Sequence, residues 1–377
     1  MAAKRSPRLP PFRLERFFAR HEFSTRFLLC ASDCETLAIR DLLAMEPGAG
    51  EALLGLRLGY TESAGSPSLR REIGRLYRDL PPEAVLVHAG AEEAIFTFLH
   101  AALAPGDHAI VHSPCYQSLA EVARGIGCRV TPWRADEAHG WALDPDDLRR
   151  AVTPATRAIV VNLPHNPTGY LMDRDAFLAT VRFAEERGIV LLCDEVYRES
   201  EHEPADRLPA ACEVGDLAVS LGVMSKTYGL AGLRIGWAAS RNAGLLARMA
   251  ALKDYTTICS SGPSEFLAEV ALRHRHAIVE RNLSIIRANL AVLDAFFARH
   301  PGTFAWQRPR AGSVAFPRLL GVDAELFCGE LVTSAGVLLA PGTLFDDDGN
   351  HVRIGFGRIN APEAVRALEE YLAARPG

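Results

Sequence analysis

Ser225-Lys226-Thr227-Tyr228-Gly229-Leu230-Ala231-Gly232-Leu233-Arg234-Ile235-Gly236 sets a lone amine and a guanidinium on one segment of small residues interrupted by glycines. An apolar run precedes it at Leu217 to Leu221, and another, Leu233 to Ala238, overlaps its end. A lysine condenses with an aldehyde only when its amine can shed a proton, which nearby positive charge and partial desolvation favour. Arg234 is suited to anchor a phosphate. A lysine among glycines is, taken alone, more often a solvated side chain, so the weight of Lys226 comes from the segments around it.

Working outward, short apolar runs alternate with amphipathic stretches from about residue 84. The runs are Ala84 to His88, His108 to His112, Ala158 to Val161 and Ile189 to Cys193, followed by the two already named. Between them lie helix-like pieces such as Glu92 to Leu103, Tyr116 to Gly125 and Arg174 to Arg187. Fully apolar strands separated by helices predict an α/β fold on a mostly parallel sheet, with ligands beyond the carboxyl ends of the strands. Gly90, Pro114, Asn166, Asp194 and Lys226 all fall at those ends.

A second region starts near Pro263, a good first helical residue, and Val279, Leu283, Ile286, Leu290, Leu293 and Phe297 then step by four and three as in a long amphipathic helix. Strands at Val314 to Phe316 and Val337 to Leu339, and helices at Glu325 to Thr333 and Pro362 to Ala373, follow. The reading is a large domain over 44–270 and a smaller α+β domain made of 1–43 and 271–377.

With 377 residues, 49% hydrophobic and 23% charged, the composition is that of a globular chain with a large core. The net charge of −5 is spread along the sequence and gives neither a nucleic-acid footprint nor a polybasic membrane patch. Lys4, Arg5 and Arg8 make a short basic start that reads as a frayed terminus. No apolar run has the length of a membrane span, and Phe27 to Ala31 is too short and too flanked by charge for a signal peptide. The eight cysteines show no CxxC pair, which suits reduced thiols in a cytoplasmic protein. Cys30 and Cys34 have zinc-ligand spacing but no matching Cys or His pair, so no metal is expected.

The chemistry-bearing residues follow the strands. Asp194, with Glu195 beside it and Tyr197 three positions on, ends an apolar run where a carboxylate can hold a ring nitrogen protonated. Asn166-Pro167-Thr168-Gly169 ends another, and its rigid turn presents the Asn166 amide. His88-Ala89-Gly90-Ala91-Glu92 runs from strand through glycine into helix, a geometry that offers free N–H groups to a phosphate. Tyr116 is placed to lie on a flat heterocycle, and Tyr60, before a helix at Leu69 to Arg78, could give a phenol to a phosphate. Arg353 in an apolar strand suits a substrate carboxylate.

This ordered set, Tyr60, Gly90, Tyr116, Asn166-Pro167-Thr168-Gly169, Asp194 with Tyr197, Ser225-Lys226 with Arg234, and Arg353, resembles the class I/II aminotransferases, pyridoxal-phosphate enzymes of fold type I. The resemblance runs from about residue 57 to the end. It implies a large domain with a mostly parallel seven-stranded sheet, a smaller domain from both termini, and a homodimer with shared active sites. It further implies that Lys226 holds pyridoxal 5'-phosphate as an imine and moves the Cα proton, that Asp194 keeps the pyridinium protonated, and that Asn166 and Tyr197 bond the phenolic oxygen. Tyr116 would stack on the ring. The phosphate would take the turn at Gly90 with the N–H groups of Ala91 and Glu92, then Arg234, Ser225 and Tyr60 of a second copy, while Arg353 and Asn166 meet the substrate.

Two departures stand out: Val223 where the family often has a hydroxyl, and Glu92, a carboxylate beside a phosphate. The implied reaction is amino transfer from an L-amino acid to a 2-oxo acid by a ping-pong route. The alternative is other chemistry at Cα or Cβ with the same cofactor: elimination, oxidation, or cyclisation as in capreomycidine synthase, which the chain resembles around Pro164-His165-Asn166-Pro167 and Ser225-Lys226. A ligand-binding module fused to a DNA-binding domain finds no helix-turn-helix before Tyr60. Arg26, Arg57, Asp33, Glu35 and Glu92 are candidates for the side-chain pocket, and no second arginine is assignable to a distal carboxylate.

Overall fold

The computed structural model describes residues 9–374, so Lys4, Arg5 and Arg8 lie outside the described residues. Its centre is a sheet of β1 (Val85–His88), β2 (His108–Ser113), β3 (Arg129–Asp136), β4 (Ala142–Leu143), β5 (Thr156–Asn162), β6 (Val190–Asp194), β7 (Ala218–Val223) and β8 (Gly236–Ser240). The order is β1-β8-β7-β6-β5-β2-β3-β4. From β7 through β3 neighbours run parallel, whereas β8 lies antiparallel to both β7 and β1.

Eight strands stand where seven were expected. The extra one, β4, pairs only Leu143 with Ala135 and Ala142 with Asp136 at the sheet edge, too short to leave an apolar run. β3 was equally hard to read, because it is an edge-side strand of mostly part-exposed residues with Pro132 inside it. The run at Leu233 to Ala238 becomes a strand only from Gly236, since a 3-10 turn at Ala231–Leu233 and a left-handed Arg234 come first. The predicted helix at Leu69 to Arg78 is the shorter Pro67–Gly74.

Strand side chains alternate between two cores, as a sheet covered on both faces requires. Ala109, Val111, Val160 and Val219 pack with Phe98 and Leu119 from the helices Ala91–Ala102 and Ser118–Ile126. Ile110, Ile159, Val161 and Leu191 pack on the other face with Phe177 from the helix Arg174–Glu186. Along the strand order the chain succession reverses between β5 and β2, and the crevice beyond their carboxyl ends is where an open α/β sheet binds ligands.

Pro263 is the second residue of the helix Gly262–Arg273, and the stripe from Val279 to Phe297 is buried on a separate helix, Arg275–Arg299. Beyond it, β9 (Phe304–Ala305) pairs with β11 (Arg318–Leu319), while β10 (Val314–Ala315), β12 (Ala340–Pro341) and β13 (Val352–Gly355) form a sheet with β13 central. The strand expected at Val337 to Leu339 is corrected: Val337 only bridges Phe27, and ladder pairing begins at Ala340. The apolar run there reflects burial among helices rather than strand pairing. The helices Ala324–Ala335 and Ala361–Ala374 lie where expected.

The N-terminal part crosses the whole site. Helix α1 (Arg13–His21) is tied down by an ion pair between Arg13 and Asp346 and by two bonds to Gln117, from Arg13 N (2.9 Å) and to Pro11 O (3.1 Å). The following strap runs along β13, with Gly355 N donating to Leu29 O at 2.9 Å. A Cβ on Gly355 would come within 1.7 Å of Ala31 O, so only glycine permits this approach.

Candidate active site

A cavity of ≈ 510 Å³ opens at the carboxyl ends of β5, β6 and β7 and is lined by Asn166, Asp194, Tyr197, Ser225, Lys226 and Arg353, among others. Lys226 follows β7 and is part-buried, and its amine donates to Ser32 Oγ at 2.8 Å. Burial pushes its pKa down and Arg353 adds to that, while Asp33 and Asp194 oppose it. The amine is thus eased toward the neutral form that attacks a carbonyl.

Asp194 ends β6 and is 5% exposed. Burial raises its pKa to about 7, against a hydrogen bond from Val196 N at 3.2 Å and the charge of Lys226. Tyr197 donates its hydroxyl to Ser32 O at 3.1 Å, and burial raises its pKa. Asn166 is held from behind by its own N–H to Asn162 Oδ1 (2.6 Å), and its amide oxygen accepts from Arg353 Nη1 at 3.1 Å. Arg353 is wholly buried; its other bonds go to Cys30 O at 2.8 and 3.2 Å, and no carboxylate among the described residues forms an ion pair with it. A buried guanidinium paired only to neutral oxygens is poised for an anion.

The turn after β1 is shaped by two glycines. Gly90 has φ +87°, and a Cβ there would meet Arg234 Nη2 at 2.5 Å, while a Cβ on Gly236 would strike Gly90 C at 2.6 Å. This close packing brings the Arg234 guanidinium to the N-terminus of the helix Ala91–Ala102, where Ala91 and Glu92 line the cavity. Val223, the first departure, is buried and also lines it. Glu92, the second, accepts from Ser118 Oγ at 3.0 Å, and burial raises it to about 7, so near neutrality much of its charge is already absent.

Tyr116 lines the cavity and donates its hydroxyl to Glu15 Oε1 at 3.0 Å. Its loop is tied to the Asn166 turn by His165, whose Nε2 meets Pro114 O at 2.8 Å and whose Nδ1 meets Thr168 Oγ1 at 2.7 Å. Tyr60 is not brought in: it is 92% exposed and outside the cavity of its own chain. Of the side-chain pocket candidates, Asp33 and Glu92 line the cavity, whereas Arg26 and Arg57 are exposed elsewhere and Glu35 accepts from Ile359 N at 2.9 Å.

Sequence reasoning missed Ser32, Arg358, the α1 residues Glu15 and Phe18, and the residues Phe12 and Glu22 that cap that helix, all of which line the cavity. Arg358 clamps Asp33 with Nη2 at 3.0 Å from both oxygens. The available signal was the spacing of Glu15, Phe18 and Glu22 at i, i+3 and i+7, which places them on one helix face.

With this geometry in hand, the family model for aminotransferase class I and II matches residues 27–373. The chain belongs to the class I and II aminotransferase family. It is a pyridoxal-phosphate-dependent enzyme of fold type I. Among solved structures this family member is similar to a PLP-dependent aminotransferase from Streptococcus suis, with TM-score 0.92 and 34% identity over 98% of this chain and 99% of that one. It is also similar to the PLP-dependent cyclase OrfR, with TM-score 0.87 and 32% identity over the full length of both. Capreomycidine synthase of Streptomyces vinaceus is 32% identical over 96% of this chain and 92% of its own.

Proposed function

We propose that this family member transfers an amino group from an L-amino acid to a 2-oxo acid. The observation that carries the reading is one cavity holding an amine with lowered proton affinity, a buried carboxylate and a wholly buried guanidinium lacking an anionic partner among the described residues.

The residues present fit pyridoxal 5'-phosphate. The Gly90 turn leaves no room for a side chain beside Arg234, and it offers a helix N-terminus and a guanidinium to a phosphate. The cofactor supplies an aldehyde that condenses with amines and a protonated ring that accepts electrons from the substrate Cα. Asp194 would hold the proton on the ring nitrogen, and the positive charge there would keep the carboxylate ionised. Asn166 and Tyr197 would bond the phenolic oxygen, Tyr116 would cover a ring face, and Ser225, which lines the same cavity as Arg234, would join it at the phosphate. Lys226 anchors the aldehyde and, once released, moves the proton at the substrate Cα. Arg353 holds the substrate carboxylate, with Asn166 fixing the guanidinium plane.

Adding an amino donor to the loaded protein without acceptor tests this. Conversion of the bound aldehyde to pyridoxamine phosphate is expected, and release of ammonia without that conversion contradicts amino transfer. The second reading, elimination or cyclisation at the same site, is supported by the similarity to the cyclase OrfR and to capreomycidine synthase. A homodimer is part of the proposal: Leu54, Leu58, Tyr60 and Tyr255 are more than four-fifths exposed, and Thr61 Oγ1 joins their two segments by a 2.8 Å bond to Ser260 O. The solution mass should be twice that of the chain.

A further inference from the structure

We infer that Glu15, on α1, and Glu22, its C-cap residue, both lining the cavity, select an amino acid whose side chain ends in a cation. This rests on the reading above, in which Arg353 takes the carboxylate end of an amino acid. That guanidinium is the independent sign of a ligand at this place, and it sets one end of it.

Matching the remaining charges of the cavity leaves a remainder of one sign. Asp33 is neutralised by the two-oxygen clamp from Arg358. Asp194 is reserved for the ring nitrogen, Arg234 for the phosphate, Lys226 for the aldehyde and Arg353 for the carboxylate. Glu92 already accepts from Ser118, and burial raises its pKa to about 7, which weakens its charge. Glu15 and Glu22 are left: no cation among the described residues forms an ion pair with either, and at Glu22 burial and the neighbouring Asp33 and Glu15 raise the pKa against the charges of Arg358 and Lys226.

Glu15 accepts only the neutral Tyr116 hydroxyl, at 3.0 Å. Both line the cavity seven residues apart, two turns of one face, with Phe18 between them. The basic residues of the same helix are turned elsewhere: Arg13 pairs with Asp346, while Arg16 and Arg20 are exposed and outside the lining. Acid from this segment lines the cavity, and its arginines do not. Two carboxylates flanking an aromatic side chain suit the apolar stem and charged tip of a basic side chain. A distal carboxylate would meet repulsion from both, and no lining arginine is left to receive one.

The test is calorimetric binding to the loaded enzyme without acceptor, using two pairs matched in shape and differing in charge: L-arginine with L-citrulline, and L-lysine with L-norleucine. In the parent at least one cationic member binds about tenfold or more tightly than its neutral match. In Glu15→Gln with Glu22→Gln, which changes charge with little change of shape, that ratio falls to about one while the neutral member's Kd stays within about twofold. Ratios near one for both pairs in the parent overturn the inference, as does a ratio that survives in the double variant, and the amino-acid reading then stands. Failure of all four to bind overturns the inference together with that reading.

Discussion

The strand ends and the N-terminal helix contribute opposite kinds of residue to one cavity. From the strand ends come Asp194, Asn166 and Lys226, held by the rigid sheet and braced by buried partners such as Asn162. From α1 and its C-cap come Glu15, Phe18 and Glu22, the helix itself being nine residues long with only Leu14 buried. Groups that do chemistry need fixed positions and shifted proton affinities, which burial on a sheet supplies. Groups that choose a substrate need only be near its distal end. Changes at the strand ends should therefore abolish turnover, and changes on the N-terminal side should alter preference or rate mildly.

Lys226→Ala breaks the first half hardest. Activity should fall by about 10⁴-fold or more, because nucleophile and proton carrier go together, while circular dichroism remains that of the parent. Next is Asp194→Asn, which leaves a ring cation facing a neutral amide. A loss of about 10² in kcat/KM is expected, set against the Glu15 and Glu22 variants, in which kcat/KM for a neutral amino acid changes about twofold or less.

The same Asp194 variant sharpens the comparison through stability. Burial raises the carboxyl from its ordinary 3.8 to about 7, so the cofactor-free fold keeps a proton that the unfolded chain has lost. The stability from this difference is whole below about pH 4, declines as pH rises, and is gone above about pH 7. Without cofactor, Asp194→Asn should melt a few degrees above the parent at about pH 8 and with it at about pH 4. Equal melting at both values would show that Asp194 is not held under strain for function.

A small effect on rate belongs to the N-terminal strap. Ser32→Ala removes the acceptor of the Lys226 amine. A fall in kcat of about fivefold or less is expected, since a single hydrogen bond to a neutral partner contributes about 1 kcal/mol. A loss as deep as that of Asp194→Asn would erase the distinction between the two halves.

Legibility in the sequence followed the same division. β2, β5, β6 and β7 are buried on both faces and read as uninterrupted apolar runs, so the residues just past their ends could be named directly. β3 and β4 lie at the edge, where part-exposed residues leave no such run, and Val337 to Leu339 is apolar for reasons of packing instead. Ser32 and the α1 residues escaped because what joins them to the site is a fold-back of more than 150 residues, from Tyr197 and Lys226 to Ser32, which local pattern does not encode. Tyr60 was legible as a residue, but its own chain leaves it exposed and outside the cavity.

The central claim is that Lys226 carries the cofactor aldehyde. Borohydride reduction of the loaded protein followed by peptide mapping tests it most directly. The account predicts a stable pyridoxyl label on Lys226 alone, and a label on another lysine, or none in cofactor-saturated protein, would contradict it.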